Sequence, residues 1–253
     1  LEGWDEPQTI VLSHSLATNL DMWEPQIASL SRRYRLLRYD TRGHGGSEAP
    51  DGPYMMETLV EDVRTLLVEL GIPSVHFIGL SLGGMIGQLL AATYPAMISA
   101  LVLCDTSCRT DATAGSMWDE RIAVARMRGM EPHVEPTIAR WFTPHFVAEH
   151  PEVVDSVREM IRRTDPKGYM GCGHAVKTFD AADLLCCIKA PTLVLVGEDD
   201  PGTPVDAARE IKDRISSSQL VVLPSASHLS NLEQPEAFNR AVAAFLQSVD
   251  EQV

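Results

Sequence analysis

The pentapeptide Gly79-Leu80-Ser81-Leu82-Gly83 constrains this chain more than any other feature. Val75-His76-Phe77-Ile78 before it reads as a strand, and residues 84–92 after it read as a helix. A strand that turns into a helix over so few residues holds the central residue in a strained conformation. Small residues two before and two after it are needed to avoid clashes. Such an elbow implies a sheet edge that carries the turn and a helix packed behind it.

The rest of the chain repeats that unit. Residues 9–12, 35–40, 75–79, 100–105, 192–197 and 219–224 are short runs, β-branched or Leu-rich, with turn residues near most of them. Near-continuous apolar runs of this kind suit strands buried on both faces. Between them, residues 54–70 place Leu59, Val63, Leu66, Leu67 and Leu70 at helical spacing, and Gly71-Ile72-Pro73 supplies a stop. Residues 204–215 and 235–249 each begin with proline in the first turn. Strand and helix in alternation predict an α/β fold, with a mostly parallel sheet and helices on both faces.

Residues 112–180 break the rhythm. They hold no strand candidate and are punctuated by Pro132, Pro136, Pro144, Pro151 and Pro166. We expect several short helices inserted between two strands, forming a cap over the carboxyl edge of the sheet, where open α/β sheets bind ligands. The core then comprises residues 1–111 and 181–253, and the cap residues 112–180.

A length of 253 residues suits one such domain with an ample core. The formal charge of −14 disfavours nucleic acid and anionic membranes as partners. No apolar run approaches the roughly 18–20 residues of a membrane span. The opening Leu1-Glu2-Gly3-Trp4-Asp5-Glu6 lacks an initiator methionine and reads as a trimmed start, so a lost leader stays open. Five cysteines, an odd number with the vicinal pair Cys186-Cys187 and no C-x-x-C, suggest reduced thiols in a cytoplasmic protein.

At the elbow, Ser81 is the expected nucleophile, at the amino end of a helix whose dipole favours developing negative charge. A serine hydroxyl needs a general base oriented by a third group. In an elbow fold the acid precedes the histidine in the chain. His228 alone among the eight histidines follows the last strand candidate. His14, His44, His76, His133, His145, His150 and His174 are expected to be structural. The acid should come from Gly197-Glu198-Asp199-Asp200-Pro201 after the preceding strand, with Asp200 favoured and Asp199 the alternative. The oxyanion donors expected are the backbone N–H groups of Leu82, directly after the nucleophile, and of Leu16, in the loop Ser13-His14-Ser15-Leu16. No H-E-x-x-H or comparable ligand spacing points to a metal, and the glycine clusters at 43–46 and 79–84 fail G-x-G-x-x-G, so no cofactor is expected.

With Arg42-Gly43-His44-Gly45-Gly46-Ser47, these features resemble the α/β-hydrolase superfamily along essentially the whole chain. Within it, the sequence resembles the 3-oxoadipate enol-lactonase family. The carrying stretches are 13–23, 39–45 and 79–85, Arg140-Trp141-Phe142-Thr143-Pro144, Asp165-Pro166-Lys167-Gly168-Tyr169, and 228–235. The resemblance implies cofactor-free hydrolysis of an unsaturated lactone bearing a carboxylate, in aromatic catabolism, with the triad on Ser81, Asp200 and His228. It departs at His14 and Ala17, where the family commonly has Asn and Gly, and the family has strands before this chain's first residue. An anionic substrate in so acidic a protein calls for a local cation. Arg126, Arg128, Arg140 and Arg163 are the candidates, with Trp141 as a wall. The alternatives are a general carboxylesterase or neutral-lactone hydrolase with the same triad, and a non-catalytic ligand-binding relative.

Overall fold

The computed structural model describes residues 8–251, so the opening Leu1 to Glu6 lies outside the described residues. Six strands form one sheet: β1 (Thr9–Ser13), β2 (Arg35–Arg38), β3 (Val75–Leu80), β4 (Ile98–Cys104), β5 (Thr192–Gly197) and β6 (Ser218–Leu223). The order is β2-β1-β3-β4-β5-β6, and each neighbouring pair is parallel. All six strand expectations match, with small shifts at the ends. β2 stops at Arg38, and β4 starts two residues early, at Ile98.

The chain runs from β1 outward to β2, then crosses back to β3 on the other side of β1. This reversal opens a crevice between the carboxyl ends of β1 and β3, the place where such sheets hold ligands. β1, β3 and β5 are buried along their whole length, as their apolar runs require. β6 is the exception. It lies at the sheet edge, and its residues are half-buried or exposed until Leu223.

Helices α1 (Glu24–Leu30), α2 (Met56–Glu69) and α3 (Leu82–Thr93) fall between the first strands. α2 buries Leu59, Val63 and Leu67 of the expected stripe, half-buries Leu66, leaves Leu70 exposed at its C-cap, and packs on α3. α3 buries ten of its twelve residues, so its apolar content on all sides is explained.

Between β4 and β5 lie α4 (Gly115–Arg128), α5 (Val134–Trp141), α6 (Pro144–Glu149), α7 (Pro151–Arg163) and α8 (Pro166–Lys177). Their prolines mark first turns, where a missing N–H costs nothing. Asp165 and Thr143 cap α8 and α6 by accepting from backbone N–H groups. The two ends of the insertion are tied together. Thr110 N donates to Phe179 O at 2.9 Å and Ala181 N to Cys108 O at 2.8 Å. α9 (Val205–Arg214), α10 (Ser230–Glu233) and α11 (Pro235–Asp250) complete the chain, and α1 packs on α11. Among the described residues no helix is long and apolar enough to cross a membrane.

Candidate active site

Ser81 sits between β3 and α3 with φ 54° and ψ −112°, a left-handed backbone that non-glycine residues adopt at a cost of about 1–3 kcal/mol. The surroundings enforce it. Ser81 N donates to Cys104 O at 2.9 Å, and Thr106 Oγ1 donates to Ser81 O at 2.8 Å. The flanking glycines are obligatory here. A Cβ on Gly79 would fall 2.2 Å from Gly83 O, and one on Gly83 would fall 2.1 Å from Ser13 O. Leu82 is the first residue of α3, so the helix offers its N–H no internal partner.

The described chain has four non-glycine residues with positive φ: Ala17, Ser81, Asp105 and Ser225. They follow β1, β3, β4 and β6 respectively, all on the carboxyl edge. Among the described residues, this strain lies on the carboxyl edge of the sheet, and two of the four, Ala17 and Ser81, line the cavity described below.

His228, beyond β6, and Asp200, beyond β5, meet on the same carboxyl edge, with Nδ1 and Oδ2 2.7 Å apart. Both are buried. Asp199 and Glu198 are exposed, which separates Asp200 from its neighbours. The Asp200 carboxylate is saturated with donors: Gly202 N at 2.7 Å and Thr203 N at 3.1 Å on Oδ1, and Thr203 Oγ1 at 2.5 Å on Oδ2. Burial pushes the Asp200 carboxyl up, but the His228 charge and these donors outweigh it and hold the group below its usual range. Burial likewise pulls His228 down. The charge and hydrogen bond of Asp200 prevail, helped by Asp105, and the imidazole titrates above its ordinary value.

Asp105, by its sequence only the end of a strand, belongs to this cluster. It lies beyond β4, fully buried, where its Oδ1 accepts from Gly197 N at 2.8 Å and its Oδ2 from Ser230 Oγ at 2.5 Å. Burial and then the negative charge of Asp200 push it up to about 8.

Ser81, Asp200 and His228 line one cavity of about 560 Å³, together with Leu16 and Ala17. The opposite wall comes from the inserted helices: Trp118, Arg121, Arg140, Trp141 and Tyr169. The Trp141 ring stacks on His228, with centroids 5.9 Å apart and planes at 29°. Three contacts staple this wall to the histidine loop. Ser227 Oγ donates to Arg140 O at 2.9 Å, Leu229 N to Trp141 O at 3.2 Å, and buried Glu233 accepts from Thr143 N at 2.8 Å while also accepting from Ser227 N. The sequence stretches 140–144 and 228–235, far apart in the chain, are thus neighbours.

Of the four arginines expected to hold an anion, only Arg140 lines the cavity. Arg126 and Arg128 lie on the exposed side of α4, and Arg163 is exposed on α7. Arg121 stands where Arg126 was expected. The reason is helical phase. Ala114, Met117, Trp118 and Arg121 line the cavity, so they share one face of the insertion's first helical segment, and Arg126 is rotated from Arg121 by about 140°. The guanidinium of Arg121 lies 5.0 Å from the Trp118 ring centroid, and that of Arg140 donates to Thr137 Oγ1 at 3.1 Å. Neither forms an ion pair among the described residues. Burial and then the charge of Arg121 pull the Arg140 pKa down, as two cations near one cavity must. No three His, Cys, Asp or Glu side chains are grouped as metal ligands among the described residues. All five cysteines are free thiols, with Cys186 and Cys187 exposed.

This parallel sheet, with an elbow at one strand end and an imidazole–carboxylate pair beside it, defines a hydrolase of the α/β class. The sequence matches the alpha/beta hydrolase fold family over residues 8–235, and the chain belongs to that family. More particularly, it is 38% identical over 244 residues to 3-oxoadipate enol-lactonase 2 of Acinetobacter baylyi, covering 96% of this chain and 90% of that protein. The crystal structure of the enol-lactonase from Burkholderia xenovorans LB400 aligns with a TM-score of 0.92 at 40% identity, over 95% of this chain and 91% of that one. A thermophilic esterase from Thermogutta terrifontis, solved with malate bound, aligns with a TM-score of 0.92 at 31% identity, over 96% and 91%.

Proposed function

We propose that this protein is a serine-dependent enol-lactonase. It opens a small lactone that carries a carboxylate, 3-oxoadipate enol-lactone being the substrate named for its relatives. The observation that carries this reading is the shape of the cavity. Ser81 and the His228–Asp200 pair occupy one wall, and Arg121 and Arg140, which form no ion pair among the described residues, occupy the other.

Ser81 Oγ attacks the ring carbonyl as its proton passes to His228 Nε2. Asp200 holds the opposite ring nitrogen, which fixes the tautomer and stabilises the imidazolium. The backbone N–H groups of Leu16 and Leu82 receive the oxyanion, each worth about 3 kcal/mol. The ring C–O bond then breaks and His228 protonates the leaving enol oxygen, which remains tethered to the acyl chain. Water, deprotonated by His228, attacks the acyl-enzyme and releases the acid, and Ser81 regains its proton. The freed enol becomes a ketone, so the ring does not readily re-form. No cofactor takes part. Arg121 and Arg140 anchor the substrate carboxylate, and Trp141 shields the imidazole from solvent. The free thiols suit a reducing, cytoplasmic setting.

The test is a panel of 3-oxoadipate enol-lactone, neutral lactones and nitrophenyl esters compared by kcat/KM. We expect the charged lactone to lead by roughly 100-fold, the worth of a charge-assisted anchor. Equal rates across the panel would leave the second reading, a general carboxylesterase, which the likeness to the Thermogutta esterase supports.

A further inference from the structure

The loop after β1 carries the Leu16 N–H that the proposed mechanism requires, yet its backbone is strained. Ala17, the next residue, has φ 61°. A left-handed alanine costs energy unless its surroundings hold it. The holding group comes from another loop. His44 Nε2 accepts from Ala17 N at 3.0 Å. The same ring uses Nδ1 to donate to Arg42 O at 3.2 Å, and this bond sets the tautomer that leaves Nε2 free to accept.

A second histidine makes the reverse tie. His14 Nε2 accepts from Thr41 N at 2.9 Å, while its Nδ1 donates to Ser15 O at 2.7 Å. The two rings lie 5.4 Å apart and are both buried. The oxyanion loop and the 41–46 loop are therefore cross-laced, each supplying an imidazole to a backbone N–H of the other.

The 41–46 loop is itself anchored on its far side. Arg42 pairs with Asp62 at 2.5 Å, and Gly43 N donates to Glu48 O at 2.8 Å. Gly43 also lies against Gly168 of α8, so close that a Cβ on Gly43 would fall 2.3 Å from the Gly168 Cα. His44 thus sits on a loop tied to α2 through Asp62, to Glu48 and to α8 through Gly168. Burial, then the nearby His14, pulls His44 down to about 3, so its Nε2 remains an acceptor throughout the neutral range.

We propose that His44 is a positioning residue for the oxyanion site: by holding the Ala17 N–H it keeps the Leu16 N–H aimed at the carbonyl that Ser81 attacks. This inference rests on the reading of Ser81 as the nucleophile. It assigns a task to the His of the Arg42-Gly43-His44-Gly45 motif, which that mechanism leaves unused. Displacing an oxyanion donor by about 1 Å costs on the order of 10–100-fold in turnover.

The experiment compares His44→Phe, His44→Asn and His44→Gln in the full chain, with a nitrophenyl ester for kcat and KM. A phosphonofluoridate probe reports the rate of Ser81 modification, and peptide mass spectrometry locates the adduct. Phe keeps a ring but has no acceptor. Gln can present its amide oxygen to Ala17 N, and Asn falls short of it. We expect His44→Phe to lose about 10–100-fold in kcat and in phosphonylation rate while KM stays within about threefold. His44→Gln should recover most of both, and His44→Asn should fall between. Should His44→Phe not fold, the order of Gln above Asn carries the test. Unchanged kcat in both Phe and Asn would overturn the proposal. So would equal kcat in Gln and Asn, or losses in step with a falling Tm that Gln fails to recover. If wild-type Ser81 is not modified at all, the nucleophile assignment fails, and the latch loses its purpose.

Discussion

The cavity has two walls of different origin, and they differ in how their chemistry is specified. The sheet-side wall, with Ser81, Asp200 and His228, is set by strand ends. Each residue sits one to five positions beyond a parallel strand, held by strained turns and saturated hydrogen bonds. The cap-side wall, with Arg121, Arg140, Trp141 and Tyr169, is set by helical phase in an insertion. On a strand end, local sequence dictates where a side chain points. On an inserted helix, a rotation of one residue exchanges a cavity arginine for a surface one. In the proposed function the reaction belongs to the first wall and the choice of substrate to the second.

The largest separation between the walls should come from Asp200→Asn. It should lower kcat by roughly 10⁴ for charged and neutral substrates alike, through the wrong imidazole tautomer. The pH profile gives an independent sign. The proposed mechanism needs neutral His228, whose pKa Asp200 raises, so wild-type kcat/KM should be lost as pH falls through a value above 6.5. Without the Asp200 charge, burial dominates and that acidic limb should move down. A limb that stays in place would show that another group sets it.

Next come Arg121→Met and Arg140→Met, which remove a charge and keep the volume. Each should raise KM for the charged lactone by about 10-fold and change kcat/KM for a neutral ester by less than about threefold. Equal effects on both substrates would merge the two walls into one and defeat the carboxylate anchor.

Glu233→Gln tests the staple between the walls. It weakens the carboxylate that accepts from Thr143 and Ser227, leaving buried N–H groups poorly matched. We expect a loss of about 1–3 kcal/mol in chemical denaturation. An unchanged midpoint would show that the walls do not need this tie. The smallest effect belongs to Arg126→Ala, which should leave KM for the charged lactone within about twofold, since Arg126 faces solvent. A larger effect would mean that α4 presents a different face to substrate.

The same contrast explains what could be read from the chain. β1, β3, β4 and β5 were legible because parallel strands buried on both faces are continuous apolar runs bounded by breakers, and the edge strands β2 and β6 because their short apolar runs fall in the same alternation with helices. Ser81 was legible because the elbow demands Gly79 and Gly83 at fixed offsets, and their would-be clashes show why. Asp200 rather than Asp199 followed from where the chain leaves β5. Arg121 was not legible. Its phase depends on where α4 starts, and the turn before Gly115 carries no strong boundary signal. Asp105 was missed for a related reason. A lone aspartate after a strand says nothing of the Gly197 and Ser230 donors that come from distant parts of the chain. The role of His44 lay equally beyond sequence reading, because its partner, the Ala17 N–H, is a backbone group on another loop.

Covalent capture of the elbow serine addresses the central claim most directly. The protein is treated with a phosphonofluoridate and its peptides are mapped by mass spectrometry, with Ser81→Ala alongside. A single adduct on Ser81, with lactone and ester turnover lost in parallel in the probe-treated protein and reduced by roughly 10⁵–10⁶ in Ser81→Ala, is the outcome expected. Full activity in Ser81→Ala, or an adduct elsewhere that abolishes turnover while Ser81 stays unmodified, would contradict the account.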